Sequence, residues 1–302
     1  MRTLRILLLG ILVPGLLFCA VSGSRGGLCL DAYEWSSEVG YRPVPVSCEP
    51  ETRTNVFAAA GFYGRATGGF LLGSSGRSRE DAATPMARLL LVRLGRSAAI
   101  VGVAVTFLGL LATLMQLPLV RTGGRKRGRV TPPWVPPLPG GLPLPIAGYL
   151  LFVIIVRTLP PGHPLDYDRA GILWAGIALA LADGVGRALF DGTGAALQRE
   201  LSRPYADNLQ LLGHDPRPAV CEVSAPVRAA QLRGALLALL GGLLVVEGFF
   251  GINGIGETLR DIVVDRQGLD PLLLTGTLLV FSACVVVVEL LPIEVLTRRW
   301  FG

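Results

Sequence analysis

Residues 199–256 decide how the rest of the chain is interpreted: RELSRPYADNLQLLGHDPRPAVCEVSAPVRAAQLRGALLALLGGLLVVEGFFGINGIG. This stretch begins as a polar, arginine-containing loop with a short amphipathic piece that ends at Gly213. From about Leu232 it continues as an apolar helix of membrane-spanning length. Pro204 suits the first turn of a helix, and Gly213 suits a C-cap with a positive φ. The stretch therefore predicts a short helix outside the membrane, followed by a span and a glycine-rich turn.

The short helix carries an apolar stripe at helical spacing. Tyr205, Leu209 and Leu212 form the stripe, and Leu197 and Leu201 precede them. A helix outside the membrane needs another surface on which to bury such a stripe. Because the neighbouring chain is mainly membrane-spanning, a partner protein is the natural candidate.

Composition points to a membrane protein. The chain has 302 residues, of which 51% are hydrophobic and 17% charged. Soluble proteins average roughly 25% charged residues. The net charge is +6, but many basic residues flank apolar segments. That placement is typical of orientation signals and unlike a nucleic-acid-binding face.

Six apolar segments are predicted to cross the membrane, the third with the help of its flanking residues. They are residues 1–22, 97–120, 142–156, 171–190, 232–250 and 272–291. The first segment also resembles a cleaved signal peptide, but the later spans favour a retained helix. The predicted division is a first span over 1–23, an extracytoplasmic segment over 24–96 and a five-helix core over 97–302.

Basic residues orient these spans. With the N-terminus in the cytoplasm, the 121–141 loop, the 191–231 loop and the C-terminus are cytoplasmic too. They hold Arg121, Arg125, Lys126, Arg127, Arg129, Arg199, Arg203, Arg217, Arg228, Arg298 and Arg299. The two short outer loops hold Arg157, Arg169, Arg260 and Arg266. Long loops such as 24–96 are exempt from the positive-inside rule, so the bias supports this orientation.

No enzyme or metal site is predicted. Lys126 is the only lysine and follows Arg125, which excludes a GxxxxGK[ST] phosphate-binding loop. If ATP drives this protein, another polypeptide hydrolyses it. His163 and His214 lie in loops on opposite sides of the predicted membrane, so they do not form a metal pair.

Two residue pairs leave alternatives open. Asp183 and Arg187 are four residues apart in the fourth predicted span. They form either a structural pair near the cytoplasmic end or a polar lining of a substrate path. Cys29 and Cys48 share one polar segment and are the candidates for a disulfide if that segment is extracytoplasmic.

Two motifs lie on either side of the fifth predicted span. Tyr205 and Gly213 fit the spacing Tyr-x-x-x-Ala-x-Ala-x-Gly. Val-Glu-x-x-Phe-x-x-Pro-Gly-x-Gly is matched at Val246, Glu247, Phe250, Gly254 and Gly256. From about residue 88 to 289 the chain resembles the permease subunits of bacterial ABC importers of the dipeptide, oligopeptide and nickel class.

The resemblance has three departures. Leu209 and Leu211 replace the alanines of the first motif, and Asn253 replaces the proline of the second. The chain after Glu289 lacks the family's Asp-Pro-Arg ending. These departures motivate an alternative, a permease-like structural subunit that has lost its coupling to an ATPase.

The resemblance implies an all-α, six-helix membrane protein of the type I importer fold in the bacterial inner membrane, with both termini cytoplasmic. It implies a second permease subunit, ATP-binding subunits that use ATP and Mg²⁺, and an extracytoplasmic solute-binding protein for peptides or related solutes. No cofactor is expected on this chain. Coupling to the ATPase is assigned to Tyr205, Leu209, Leu212 and Gly213. The turn and outer gate are assigned to Glu247, Phe250, Gly254 and Gly256.

Overall fold

The computed structural model describes residues 2–22, 30, 33–36, 40–43, 55–77, 84–121, 143–158, 167–181, 185–264 and 270–293. These residues are mostly helical. In chain order the elements are α1 (Arg2–Ser22), β1 (Tyr33–Ser36), β2 (Gly40–Pro43), α2 (Val56–Leu72), α3 (Met86–Arg121), α4 (Leu144–Thr158), α5 (Tyr167–Leu181), α6 (Val185–Leu201), α7 (Pro204–Leu211), α8 (Arg217–Phe250), α9 (Ile255–Val264) and α10 (Pro271–Leu290).

Three of the described helices are long and apolar enough to cross a membrane. They are α3 over Met86–Leu111, α8 over Pro218–Phe250 and α10 over Pro271–Leu290. Shorter apolar helices cover Arg5–Val21 and Gly171–Leu181. The expectation of a mainly helical protein is confirmed, although β1 and β2 form a short hairpin that an all-α fold would lack. The three helices are consistent with a membrane protein, and the six spans stay a prediction.

Several helix boundaries differ from the predicted spans. Helix α3 begins at Met86 and α8 at Arg217, well before the predicted starts at 97 and 232. The sequence prediction followed the apolar stretch alone, whereas a helix continues wherever its backbone hydrogen bonds can form. The fourth predicted span, 171–190, is occupied by two helices, α5 and α6. Residues 182–184 between them lie outside the described residues.

The chain forms two compact units. Unit 1 contains Met1–Ala98 and Glu247–Leu290, and unit 2 contains Ala99–Val246 and Leu291–Gly302. The boundaries predicted at residues 23 and 96 divide the chain into consecutive blocks. Unit 1 combines distant segments, because α10 packs on α1 and α2 and the start of α9 is bonded to Ser97 of α3. The predicted topological division at residues 23 and 96 stays a prediction.

Aromatic rings fill one end of the core of unit 1. Strand β1 pairs antiparallel with β2, Tyr33 opposite Pro43. The ring of Tyr41 on β2 stacks on Phe62 of α2 at a centroid distance of 4.3 Å, and Phe18 of α1 stacks on the same ring at 6.1 Å. Met86 and Leu272 complete this part of the core. The end of α1 and the starts of α3 and α10 therefore meet at the hairpin.

Unit 2 contains close helix contacts that require small residues. A Cβ on Gly176 of α5 would lie 2.5 Å from Val103 Cγ1 of α3. A Cβ on Gly192 of α6 would lie 2.8 Å from Gln231 Cδ of α8. Small residues let helices approach closely in membranes, where dispersion contacts replace the hydrophobic effect as the driving force.

Candidate functional site

Helix α8 ends in a left-handed turn that directs the chain into α9. Gly251 has a φ of 62°. The amide of Ile252 donates to the carbonyl of Glu247 at 3.0 Å, the pattern of a Schellman C-cap. Only glycine adopts this backbone conformation without steric cost. The turn leaves the first amides of α9 facing back toward the last turn of α8.

The carboxylate of Glu247 caps the N-terminus of α9. Its Oε2 atom accepts hydrogen bonds from the amides of Gly256, at 2.6 Å, and Glu257, at 3.1 Å. The Glu247 side chain is fully buried. The first amides of a helix have no partner within it, and their positive partial charge favours an anion. A glutamate on one helix therefore supplies the cap that another helix lacks.

Helix α3 supplies the other contacts to the start of α9. Ser97 Oγ accepts from the amide of Ile255 at 2.9 Å. One turn earlier, Arg93 Nη1 donates to Thr258 Oγ1 at 2.6 Å, and this hydroxyl donates to the carbonyl of Gly254 at 2.6 Å. The start of α9 is thus bonded to two helices that are far apart in the chain.

Helix α9 also caps α8 in return. Arg260 Nη1 donates to the carbonyl of Gly248 at 2.6 Å, in the last turn of α8. Arg260 also lies 3.8 Å from the Glu257 carboxylate. A cation at the C-terminus of a helix complements its dipole. The capping is reciprocal, since Glu247 serves α9 and Arg260 serves α8.

The position of the Glu247 carboxylate explains why the second motif has a glycine at residue 254. A Cβ on Gly254 would overlap the carboxylate of Glu247. Asn253, which replaces the family's proline, is exposed in a tight turn where the Gly254 amide donates to the Ile252 carbonyl at 2.6 Å. Phe250 is half-buried, with its ring 5.6 Å from that of Phe249. The predicted motif residues thus share one turn, in which Glu247 and Gly254 are in direct contact.

Sequence reasoning missed the partners of this turn. Arg93 and Ser97 are four residues apart on α3, so they share one helix face. An arginine and a serine one turn apart in a largely apolar helix were the available signal, because polar groups in such helices usually bond one another or the backbone. Thr258 and Arg260 had no comparable pattern. These polar groups bond one another and so hold the end of α8 to the start of α9, which indicates a structural role for this turn.

The second site is helix α7, in unit 2. Pro204 occupies its first turn, as predicted. Gly213 has a φ of 78°. The amides of Gly213 and His214 donate to the carbonyls of Gln210, at 3.0 Å, and Leu209, at 2.9 Å. This is a Schellman motif, so the expectation of a positive-φ C-cap at Gly213 is confirmed.

The side chains at the two ends of α7 differ: those at its N-terminal end contact α6, and those at its C-terminal end are exposed. Tyr205 is half-buried, and its hydroxyl donates to Glu200 Oε2 at 3.3 Å, while Arg203 pairs with Glu200 Oε1 at 3.2 Å. Burial and the Glu200 carboxylate both raise the pKa of the Tyr205 phenol, so this group stays neutral and can donate. Leu211 and Leu212 are 85% and 72% exposed.

The predicted stripe is therefore split by the fold. Tyr205 and Leu209 are half-buried, whereas Leu212 and its neighbour Leu211 face outward. The exposed apolar side chains of α7 therefore lie at its C-terminal end, and Tyr205 bonds the start of the helix to Glu200 near the end of α6.

The remaining predicted pairs are not visible in full. Asp183, Cys29 and Cys48 lie outside the described residues. Arg187 belongs to α6, but its side chain is not described. The Asp183–Arg187 pair and the disulfide remain predictions.

Comparison with known proteins adds no further constraint. No protein-family model matches the chain, and no curated protein matches it.

Proposed function

We propose that this chain is the membrane-spanning permease subunit of an ATP-driven, binding-protein-dependent importer for peptides or related small solutes. It crosses the bacterial inner membrane six times, with both termini in the cytoplasm. A second permease subunit completes the pathway, a solute-binding protein delivers the solute from outside, and separate ATP-binding subunits hydrolyse ATP with Mg²⁺.

The observation that carries this proposal is the form of α7. It is a short helix with proline at its first turn, a glycine Schellman end and two exposed leucines. Exposed apolar side chains on a rigid helix end suit a groove on another protein. Tyr205, held by Glu200, fixes the base of the helix, so force applied at the leucine end reaches α6.

The α8–α9 turn gives independent support. Its geometry accounts for a glutamate and a glycine at the spacing of the second motif, because Gly254 makes room for the capping carboxylate of Glu247. In an importer, these hydrogen bonds would make α9 move together with the end of α8 when the outer gate opens and closes. Helix α8 connects the two motifs along the chain.

Co-purification tests the proposal directly. The full-length protein, tagged at its C-terminus, is co-expressed with candidate ATP-binding subunits from neighbouring genes and purified in mild detergent. We expect a stable complex whose ATPase activity rises when a solute-binding protein and its solute are added to proteoliposomes. Solute should accumulate only when ATP is on the ATPase side. Failure of the wild-type chain to bind any ATP-binding subunit would contradict the proposal.

One observation favours the structural-subunit alternative. Leu211, where the family motif has a small alanine, projects from the end of α7 with 85% of its surface exposed. A larger side chain at the contact surface either fits an enlarged groove or blocks docking. A wild-type chain that neither binds an ATP-binding subunit nor supports ATP-dependent uptake would favour this alternative.

Topology provides a second test. Reporter domains fused after Arg129 or Gly213 are expected to report the cytoplasm, and one fused at Gly73 the outside, because basic residues accumulate on the cytoplasmic side. In unit 1, α3 and α10 begin at the hairpin end where α1 finishes, which is the arrangement that this topology requires. A fusion at Met1 that reports the outside, or an external signal at Gly213, would overturn the assignment.

A further inference from the structure

Helix α2 lies within the segment 24–96 that the sequence places outside the membrane, yet it packs along two apolar helices. Its buried face contains Phe62, Tyr63 and Ala66, and it contacts both α1 and α10. A Cβ on Gly276 of α10 would lie 2.8 Å from Phe70 Cζ of α2. The depth of α2 can therefore be measured against α10, one of the three helices able to cross a membrane.

A hydrogen bond between α10 and α1 shows which parts of these two helices lie at the same depth. Pro14 lies inside α1 and has no amide hydrogen, so the carbonyl of Gly10 lacks its usual intrahelical donor. Ser282, near the middle of α10, donates its hydroxyl to that carbonyl at 2.7 Å. An unsatisfied carbonyl is costly in hydrocarbon, and a serine from a neighbouring helix is a common remedy. Gly10 therefore lies at the middle depth of α10.

A second hydrogen bond, between α2 and α1, relates the depth of α2 to that of α1. Tyr63 of α2 donates its hydroxyl to the carbonyl of Ile11 at 2.9 Å, one residue beyond the carbonyl bonded by Ser282. A Cβ on Gly15 would lie 2.9 Å from the Tyr63 ring. Tyr63 is in the middle of α2. The middle of α2 is thus bonded at nearly the same depth as the middle of α10.

The chain leaves α2 at the hairpin end of unit 1. Strand β2 precedes α2, and Gly76 follows it. The amide of Arg77 donates to the carbonyl of Tyr41 at 3.1 Å, so the two flanks are side by side. A Cβ on Gly76 would also lie 3.1 Å from the side chain of Leu272, at the start of α10. The residues that follow α2 therefore lie beside the hairpin and the start of α10.

The surface of α2 suits a lipid environment. Phe57 and Leu72 are 87% and 86% exposed, and the outward positions between them include Ala60 and Gly64. Arg65 is the only charged residue of α2. Its Nε donates to the carbonyl of Gly61, one turn earlier in α2, at 3.4 Å. Charged side chains inside membranes commonly bond to backbone carbonyls in this way.

We infer that α2 lies inside the bilayer, with its outward face covered by lipid acyl chains. Its C-terminal end is on the hairpin side. With 17 residues, α2 rises about 25 Å, which is shorter than the roughly 30 Å hydrocarbon core. The inference does not depend on a transport function.

Spin-label accessibility in liposomes tests this placement. In the full-length protein with its native cysteines replaced, Gly64→Cys is labelled on the outward face of α2, where an added Cβ meets no other atom within 4 Å. Val287→Cys, exposed on α10, serves as the lipid reference, and Asp207→Cys, exposed on α7, as the water reference. Collision rates are measured with oxygen, which partitions into lipid, and with a water-soluble nickel chelate.

We expect the label at residue 64 to resemble that at residue 287, with oxygen collisions exceeding those of the nickel chelate. The same result is expected at Ala60→Cys, which provides a second outward position if one variant fails to fold. Size-exclusion chromatography identifies any misfolded variant. A nickel collision rate at residues 60 and 64 as high as that at residue 207 would place α2 in water and overturn the inference.

Discussion

Replacement of Glu247 by alanine is expected to release α9 from the end of α8. The amides of Gly256 and Glu257 lose their acceptor in a buried site. Each orphaned buried donor costs about 1–3 kcal/mol, so the α8–α9 turn should lose roughly 2 kcal/mol or more. The variant Gly254→Ala should have the same effect by another route, because its Cβ displaces the carboxylate.

Limited proteolysis measures this loss. Trypsin cleavage after Arg260 reports opening of α9, and a loss of 2 kcal/mol predicts a rise of more than tenfold in the cleavage rate. The control Glu247→Gln retains an oxygen acceptor for the two amides and should be cleaved nearly as slowly as the wild type. Asn253→Ala, an exposed change in the same turn, should also have little effect. Equal cleavage of Glu247→Ala and wild type would show that the cap does not hold α9.

Replacement of Gly213 by valine is expected to abolish coupling while leaving membrane insertion intact. A φ of 78° is strained for a β-branched residue. A Cβ at this position meets no atom within 4 Å, so the strain lies in the backbone conformation. The last turn of α7 should unwind and displace Leu212 from its contact surface. Co-purification with the ATP-binding subunits, or ATP-dependent uptake, should be lost.

The matched control is Gly213→Asn, because asparagine adopts the left-handed region far more readily than valine. This variant should retain both the complex and uptake. If both variants transport as well as the wild type, α7 is not the coupling element. Loss in both would indicate that something other than the positive φ is required at residue 213.

Side-chain variants of α7 separate the base from the exposed end. Tyr205→Ala removes the hydrogen bond to Glu200 and should also uncouple ATPase activity from transport. Leu211→Ala should be tolerated, because this position carries alanine in the family motif. Since Leu211 is exposed, this change should not alter stability either. Wild-type transport by Tyr205→Ala would remove the tyrosine from the coupling role.

The predictability of the two sites differed for a physical reason. Pro204 and Gly213 specify the limits of α7 locally, through a fixed φ and a positive φ, so both limits were visible in the sequence. Glu247 and Gly254 were visible as a spacing, but the capping contact between them was not. Arg93 and Ser97 bond to Thr258 and Ile255, which follow them by 165 and 158 residues, and no local pattern specifies such a contact.

The sequence by itself determined the mainly helical character of the chain, an apolar helix α10 long enough to cross a membrane, and the short glycine-ended helix α7. These features follow from composition, apolar length and backbone preferences, which act over a few residues. Only the tertiary structure decided that α2 packs beside α1 and α10, and that α8 and α9 cap each other. These contacts are hydrogen bonds between side chains and unpaired backbone groups that are distant in the sequence. The partners of such bonds are fixed only when the helices pack.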